Sequence, residues 1–80
     1  MKRYYIIDGD NNTFDTLRDA KYHVEIAYTK EEQKKYLHNS YIVGMQGDKE
    51  ISQTKITVTD KGVKYGKTEK LETVVLSVKW

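Results

Sequence analysis

Cysteine and proline are both absent from this 80-residue chain. Without cysteine there are no disulfides, no thiolate metal sites and no cysteine nucleophile. Small secreted domains usually depend on disulfide staples, so a cytoplasmic, reducing setting is expected. No low-complexity linker interrupts the sequence and no internal repeat is visible, which makes residues 1–80 a single expected domain. Long apolar runs are missing as well. The basic N-terminus leads only into Tyr4-Tyr5-Ile6-Ile7, too short for the apolar centre of a signal peptide. No stretch approaches the roughly 20 apolar residues of a spanning helix, so no membrane partner is expected. Charge of one sign is also lacking: 14 basic and 12 acidic residues leave a net +2. Such a balance provides no strong overall field for steering nucleic acid. A chain of this length hides only about 60–65% of its unfolded surface, a small core on which to sustain a cleft of desolvated charges.

What is present is periodic. Residues 3–7 are aromatic and β-branched, apolar on both faces, and predict a strand covered on both sides. Asp8 to Asn12 read as a loop. Thr16 with Asp19 resembles a capping box and opens a helix from about Leu17 to Tyr28, with Leu17, Ala20, Val24, Ala27 and Tyr28 on one arc. Thr29 with Glu32 is a second capping box and predicts a second helix over 30–38, ended by Asn39 in a left-handed conformation. Strands are expected at Ser40–Gln46, 49–59, Val63–Lys67 and Leu71–Trp80, with turns at Gly47-Asp48 and Asp60-Lys61-Gly62. Within 49–59 the apolar phase slips between Ile51 and the pair Ile56 and Val58, which marks a bulge. The resulting order is β-α-α-β-β-β-β: an α+β domain, a mostly antiparallel sheet with two consecutive helices on one face. Its expected core is Tyr4 or Tyr5, Ile6, Ile7, Leu17, Ala20, Val24, Ile42, Ile56, Val58, Val74 and Leu76.

Three fragments imitate chemistry. Gly66-Lys67-Thr68 looks like the end of a phosphate loop, but the motif needs glycine at 61, where this chain has lysine, and a helix afterwards. Asp8-x-Asp10-x-Asn12 looks like the start of a calcium loop, but Thr13 stands where the turn needs glycine and Asp19 where a bidentate glutamate belongs. His23 and His38 are too far apart to form a ligand pair on one helix. Asp19, four residues before His23, has base-orienting spacing, yet surface helices produce such pairs as ordinary i,i+4 neighbours. No serine lies in a nucleophile-elbow context. No enzyme activity, metal or cofactor is expected.

Two surfaces are candidates for binding. Tyr22 and Ile26 fall opposite the core arc of the first helix, where a helix on a single sheet should be polar. Seven tyrosines in the chain also suit interfaces, where a large ring with a polar tip is favoured. Either the second helix folds back over the pair, or a protein partner or second copy covers it. The other surface is basic: Lys55, Lys61, Lys64, Lys67 and Lys70 with Tyr65 surround the hairpin near 55–70. Lysines beside an aromatic suit a phosphate backbone and a stacked base. Lysines on strands also protect sheet edges from pairing with other chains, and Asp60, Glu69 and Glu72 dilute this patch. The function expected is therefore a small non-enzymatic interaction module that binds a protein or itself, with weak nucleic-acid binding through the lysine hairpin as the alternative.

The incomplete calcium loop generates a test. Calorimetric titration with calcium or zinc is expected to give no tight, stoichiometric isotherm. A tight isotherm that Asp8→Ala abolishes would identify the loop as a calcium site.

Overall fold

The computed structural model describes residues 2–71. β1 (Lys2–Ile6) sends Tyr4 and Ile6 to the core side, while the alternating Arg3 and Tyr5 face the other way. After the loop, β2 (Thr13–Phe14) pairs back on β1, with Tyr4 opposite Phe14. α1 (Leu17–Ile26) starts where the Thr16 hydroxyl accepts the Asp19 backbone N–H at 3.0 Å. α2 (Lys30–Glu32) starts with a complete capping box, the Glu32 carboxylate accepting from Thr29 N at 2.9 Å and the Thr29 hydroxyl from Glu32 N at 3.1 Å. It runs directly into a π-helical stretch, Gln33–Leu37. Asn39, at φ 67°, then turns the chain into β3 (Tyr41–Gln46), as expected of a residue that tolerates the left-handed region. β4 (Lys49–Thr59), β5 (Gly62–Tyr65) and β6 (Glu69–Lys70) complete the described sheet.

The strand order is β2-β1-β3-β4-β5, with β6 beside β4, and every pairing is antiparallel. This is an α+β domain with its helices on one face of a mostly antiparallel sheet. The expected bulge is present. Gly44 opposes Ser52 but Met45 opposes Glu50, which leaves Ile51 as the extra residue in β4. Glycine is required at 44 by close approach: a Cβ there would lie 2.5 Å from Ser52 Oγ and 2.9 Å from the Tyr4 ring.

The core joins Ile6, Ala20, Val24, Leu37, Ile42, Ile56 and Val58, with Tyr4, Phe14, Leu17, Tyr28, Val63 and Tyr65 packed around it. Each fully buried Ile or Leu contributes about 1.5–3 kcal/mol relative to exposure. Buried Gln33 closes the helical corner: its amide donates at 3.0 Å to Val24 O, a carbonyl of the last turn of α1, and at 3.4 Å to Tyr28 O in the link that follows.

Several expectations need correction. Ile7 is exposed rather than core, because it follows β1 and alternates to the face without helices. For the same reason β1, although apolar on both sides, has helices over one side only among the described residues. Ala27 is exposed, since α1 ends at Ile26 and Ala27 is its C-cap. β2 and β6 carry no periodic signal in the sequence, since each is only two residues long. Leu37 and Gln33 were missing from the expected core because the turn into the π-helical stretch sets their direction. The Leu71–Trp80 strand, with Val74 and Leu76, lies almost wholly outside the described residues.

Leu37 is fully buried and Tyr36 beside it is half exposed. In denaturant melts Leu37→Ala is expected to lose about 2–5 kcal/mol. Tyr36→Ala should stay within about 0.5 kcal/mol.

Candidate functional site

The polar centre of the molecule is the loop that links β1 to β2. Asp10 is held there by three donors. His23 Nε2 lies 2.7 Å from Oδ2, the Tyr28 hydroxyl donates to the same oxygen at 3.0 Å, and Asn12 N donates to Oδ1 at 3.1 Å. Tyr28 also accepts from Asp10 N at 3.0 Å. The Phe14 and His23 rings lie 4.9 Å apart, and Tyr28 meets His23 edge-on at 5.7 Å. His23 therefore pairs with Asp10 across the fold, not with Asp19 along the helix; the Asp19 backbone instead serves the α1 cap. Burial alone would raise the Asp10 carboxyl. The hydrogen bonds from His23, Asn12 and Tyr28, with the charge of His23, outweigh it and hold the carboxyl below its ordinary 3.8. A carboxylate beside an imidazole is the pairing that orients a general base. Here its partners come from α1, the α1–α2 corner and its own loop, so its evident effect is to pin the loop to the helix. Among the described residues no three His, Cys, Asp or Glu side chains converge as metal ligands.

The apolar candidates sit on the outer side of α1. Tyr22 is 64% exposed and Ile26 61%, so the second helical segment does not fold back over them. That segment spends Gln33 and Leu37 on the core and leaves Tyr36 exposed. A shallow groove runs beside the start of α1, lined in part by Leu17, Lys21, Tyr22 and Glu25.

The six hairpin residues separate in space. Tyr65 faces α1: its hydroxyl donates to Lys21 O and to Glu25 Oε2, both at 3.0 Å, and Lys21 Nζ lies 4.9 Å from its ring centroid. Burial, reinforced by the Glu25 carboxylate, pushes the Tyr65 phenol well above its ordinary value. Lys70 opposes Ser52 on the same, helix-bearing side. Lys61 is at the turn between β4 and β5, next to Asp60, which pairs with Lys34 at 2.9 Å. Lys55 opposes Tyr41, and Lys64 opposes Thr57, on the side that carries no helix among the described residues. Lys67 joins Lys55 there in a cleft of about 230 Å³ that also includes Tyr41, Gln53, Gly66 and Glu69. Tyr41 was not among the residues singled out from the sequence, because nothing local marks which side of a strand remains open. Thr68 makes a hydrogen bond of 2.8 Å with Thr54, and β6 follows it, so Gly66-Lys67-Thr68 opens no helix. No family model, curated protein or solved structure matches this chain.

The Asp10 geometry carries a pH dependence. A carboxyl held below 3.8 in the folded state adds stability above that pH and loses it as pH falls through the folded value. Melting temperatures of the wild type and Asp10→Asn are expected to differ at neutral pH. They should converge at strongly acid pH, below the ordinary carboxylate range. A constant difference across that range would assign the effect to packing.

Proposed function

We propose that this chain is a small, non-enzymatic interaction module that engages a protein partner or a second copy of itself through the outer side of α1. One observation carries the reading: Tyr22 and Ile26, one helical turn apart, both keep over half of their surface in water. Covering them is favourable, at about 1.5–3 kcal/mol for each fully buried side chain. The core of the same helix is complete without them, since Ala20 and Val24 are fully buried against the sheet. The pair is thus free to serve contact without weakening the fold. The absence of cysteine supports a reducing compartment, which we take to be the cytoplasm. No helix among the described residues is long and apolar enough to cross a membrane.

The double variant Tyr22→Ala with Ile26→Ala tests the reading. Sedimentation of the wild type at high concentration is expected to show association, and the variant should sediment as a monomer. Its melting temperature should fall by no more than about 2–4 °C, the shift that a surface change of about 0.5 kcal/mol produces in a domain of this size. A monomeric wild type whose double variant melts far earlier would refute the interface.

A further inference from the structure

We propose that the sheet face opposite the helices binds single-stranded nucleic acid, with Tyr41 as a stacking surface and Lys55, Lys64 and Lys67 as backbone contacts. This surface is separate from the outer side of α1, and the inference does not depend on that one.

Antiparallel register assembles the face. Tyr5, Val43 and Gln53 oppose one another across β1, β3 and β4, and Tyr41 opposes Lys55 one pleat along. Partners opposite each other point to the same side of a sheet. Because Tyr4, Ile6, Ile42 and Ile56 point to the helices, Tyr5, Tyr41, Val43 and Lys55 point away from them. Lys64, opposite Thr57, is a diagonal neighbour of Lys55 on the same side. Gly66 N donates to Lys55 O at 2.9 Å, and a Cβ on Gly66 would sit 3.6 Å from Lys55 Cβ. The chain therefore leaves β5 close beside Lys55 and brings Lys67 to the same cleft as Tyr41. Lys55 and Lys67 thus share a cleft with half-buried Tyr41, Lys64 lies diagonally beyond Lys55, and Val43, 3% exposed, is packed beneath rather than offered at the surface. Two acidic groups temper the lysines: Glu69, at the rim, accepts from the Gln53 amide at 3.4 Å, and Glu50 lies opposite Met45.

Charge complementarity chooses the occupant. Lysines in a groove suit phosphates, and an accessible aromatic ring suits an unstacked base of any sequence. A duplex hides its base faces, and among the described residues the face has no helix to enter a major groove. Three lysines imply modest affinity with a strong dependence on salt. Tyr65, turned to α1, has no part in it.

The test is fluorescence anisotropy with a labelled single-stranded oligothymidylate and a duplex of equal length, at low and rising salt. The single strand is expected to bind more tightly than the duplex and to be released by salt. Lys55→Ala with Lys67→Ala should lower the salt slope by about 1.4, two contacts at about 0.7 each. Tyr41→Ala should weaken binding about tenfold, while Tyr41→Phe, which keeps the ring, should not. Tyr22→Ala with Ile26→Ala should bind like the wild type, which separates this surface from the α1 interface. The lysine pair is exposed, so it remains informative should Tyr41→Ala fail to fold. Absence of binding at low salt, equal affinity for the duplex, or an unchanged slope in the lysine variant would each overturn the proposal. So would competition by polyglutamate as strong as that by the oligonucleotide, which would mark a docking surface for acidic protein.

Discussion

The double-sided pairing of β4 is the constraint from which the rest of the molecule follows. Its first half lies between β3 and β6, and its second half between β5 and the short link before β3. In that link Asn39 N donates to Ile56 O at 2.9 Å, Ile56 N donates to Ser40 O at 2.8 Å, and Val58 N donates to His38 Nδ1 at 3.0 Å. Ile56 thus has both its backbone N–H and its C=O paired to that link, and its side chain is fully buried. A buried backbone leaves few groups unpaired, so neighbouring elements must come to β4 at fixed heights. The bulge at Ile51 shifts the phase once along this strand, letting Thr54, Ile56 and Val58 all face the core from there on.

The helical layer is tied to that strand and to β1 at two places of different character. One is apolar, where Ala20, Val24 and Leu37 close over Ile6, Ile42 and Ile56. The other is polar, where Asp10 gathers His23 and Tyr28 and the buried Gln33 amide caps the end of α1. Ser40 adds a hydrogen bond from its hydroxyl to Ile7 O, joining the start of β3 to the end of β1. Apolar contact provides most of the stabilisation, whereas the polar contacts determine which way the loop and the corner turn. This division leaves two surfaces outside the core. The outer side of α1 keeps Tyr22 and Ile26, and the sheet face that bears no helix among the described residues keeps half-buried Tyr41 with its lysines.

Much of the fold was legible from local pattern. Both Thr-initiated caps, the left-handed Asn39, the bulge near Ile51 and the two hairpin turns all depend on residues within a few positions of one another. The binding surfaces were only half legible. A helical wheel separates Tyr22 and Ile26 from Val24, because helix geometry is regular. Whether the next helix then covers them depends on the direction of the corner after Ala27. The lysines near residues 55–70 look like one patch in sequence. Alternation along β4 and β5 divides them between faces, and Tyr65 goes with the core.

The sequence by itself determined the α+β class, the types of the longer helical and strand segments, the cap chemistry and the absence of disulfide or thiolate chemistry, since each depends on composition or on short-range period. Tertiary structure alone decided that His23 meets Asp10 rather than Asp19, that Tyr41 shares a cleft with Lys55 and Lys67, and that Ile7 remains in water. Those outcomes involve residues brought together across 13 or more positions, or a face whose cover comes from elsewhere. No local period reports which long-range partner the backbone of β4 will bring within reach.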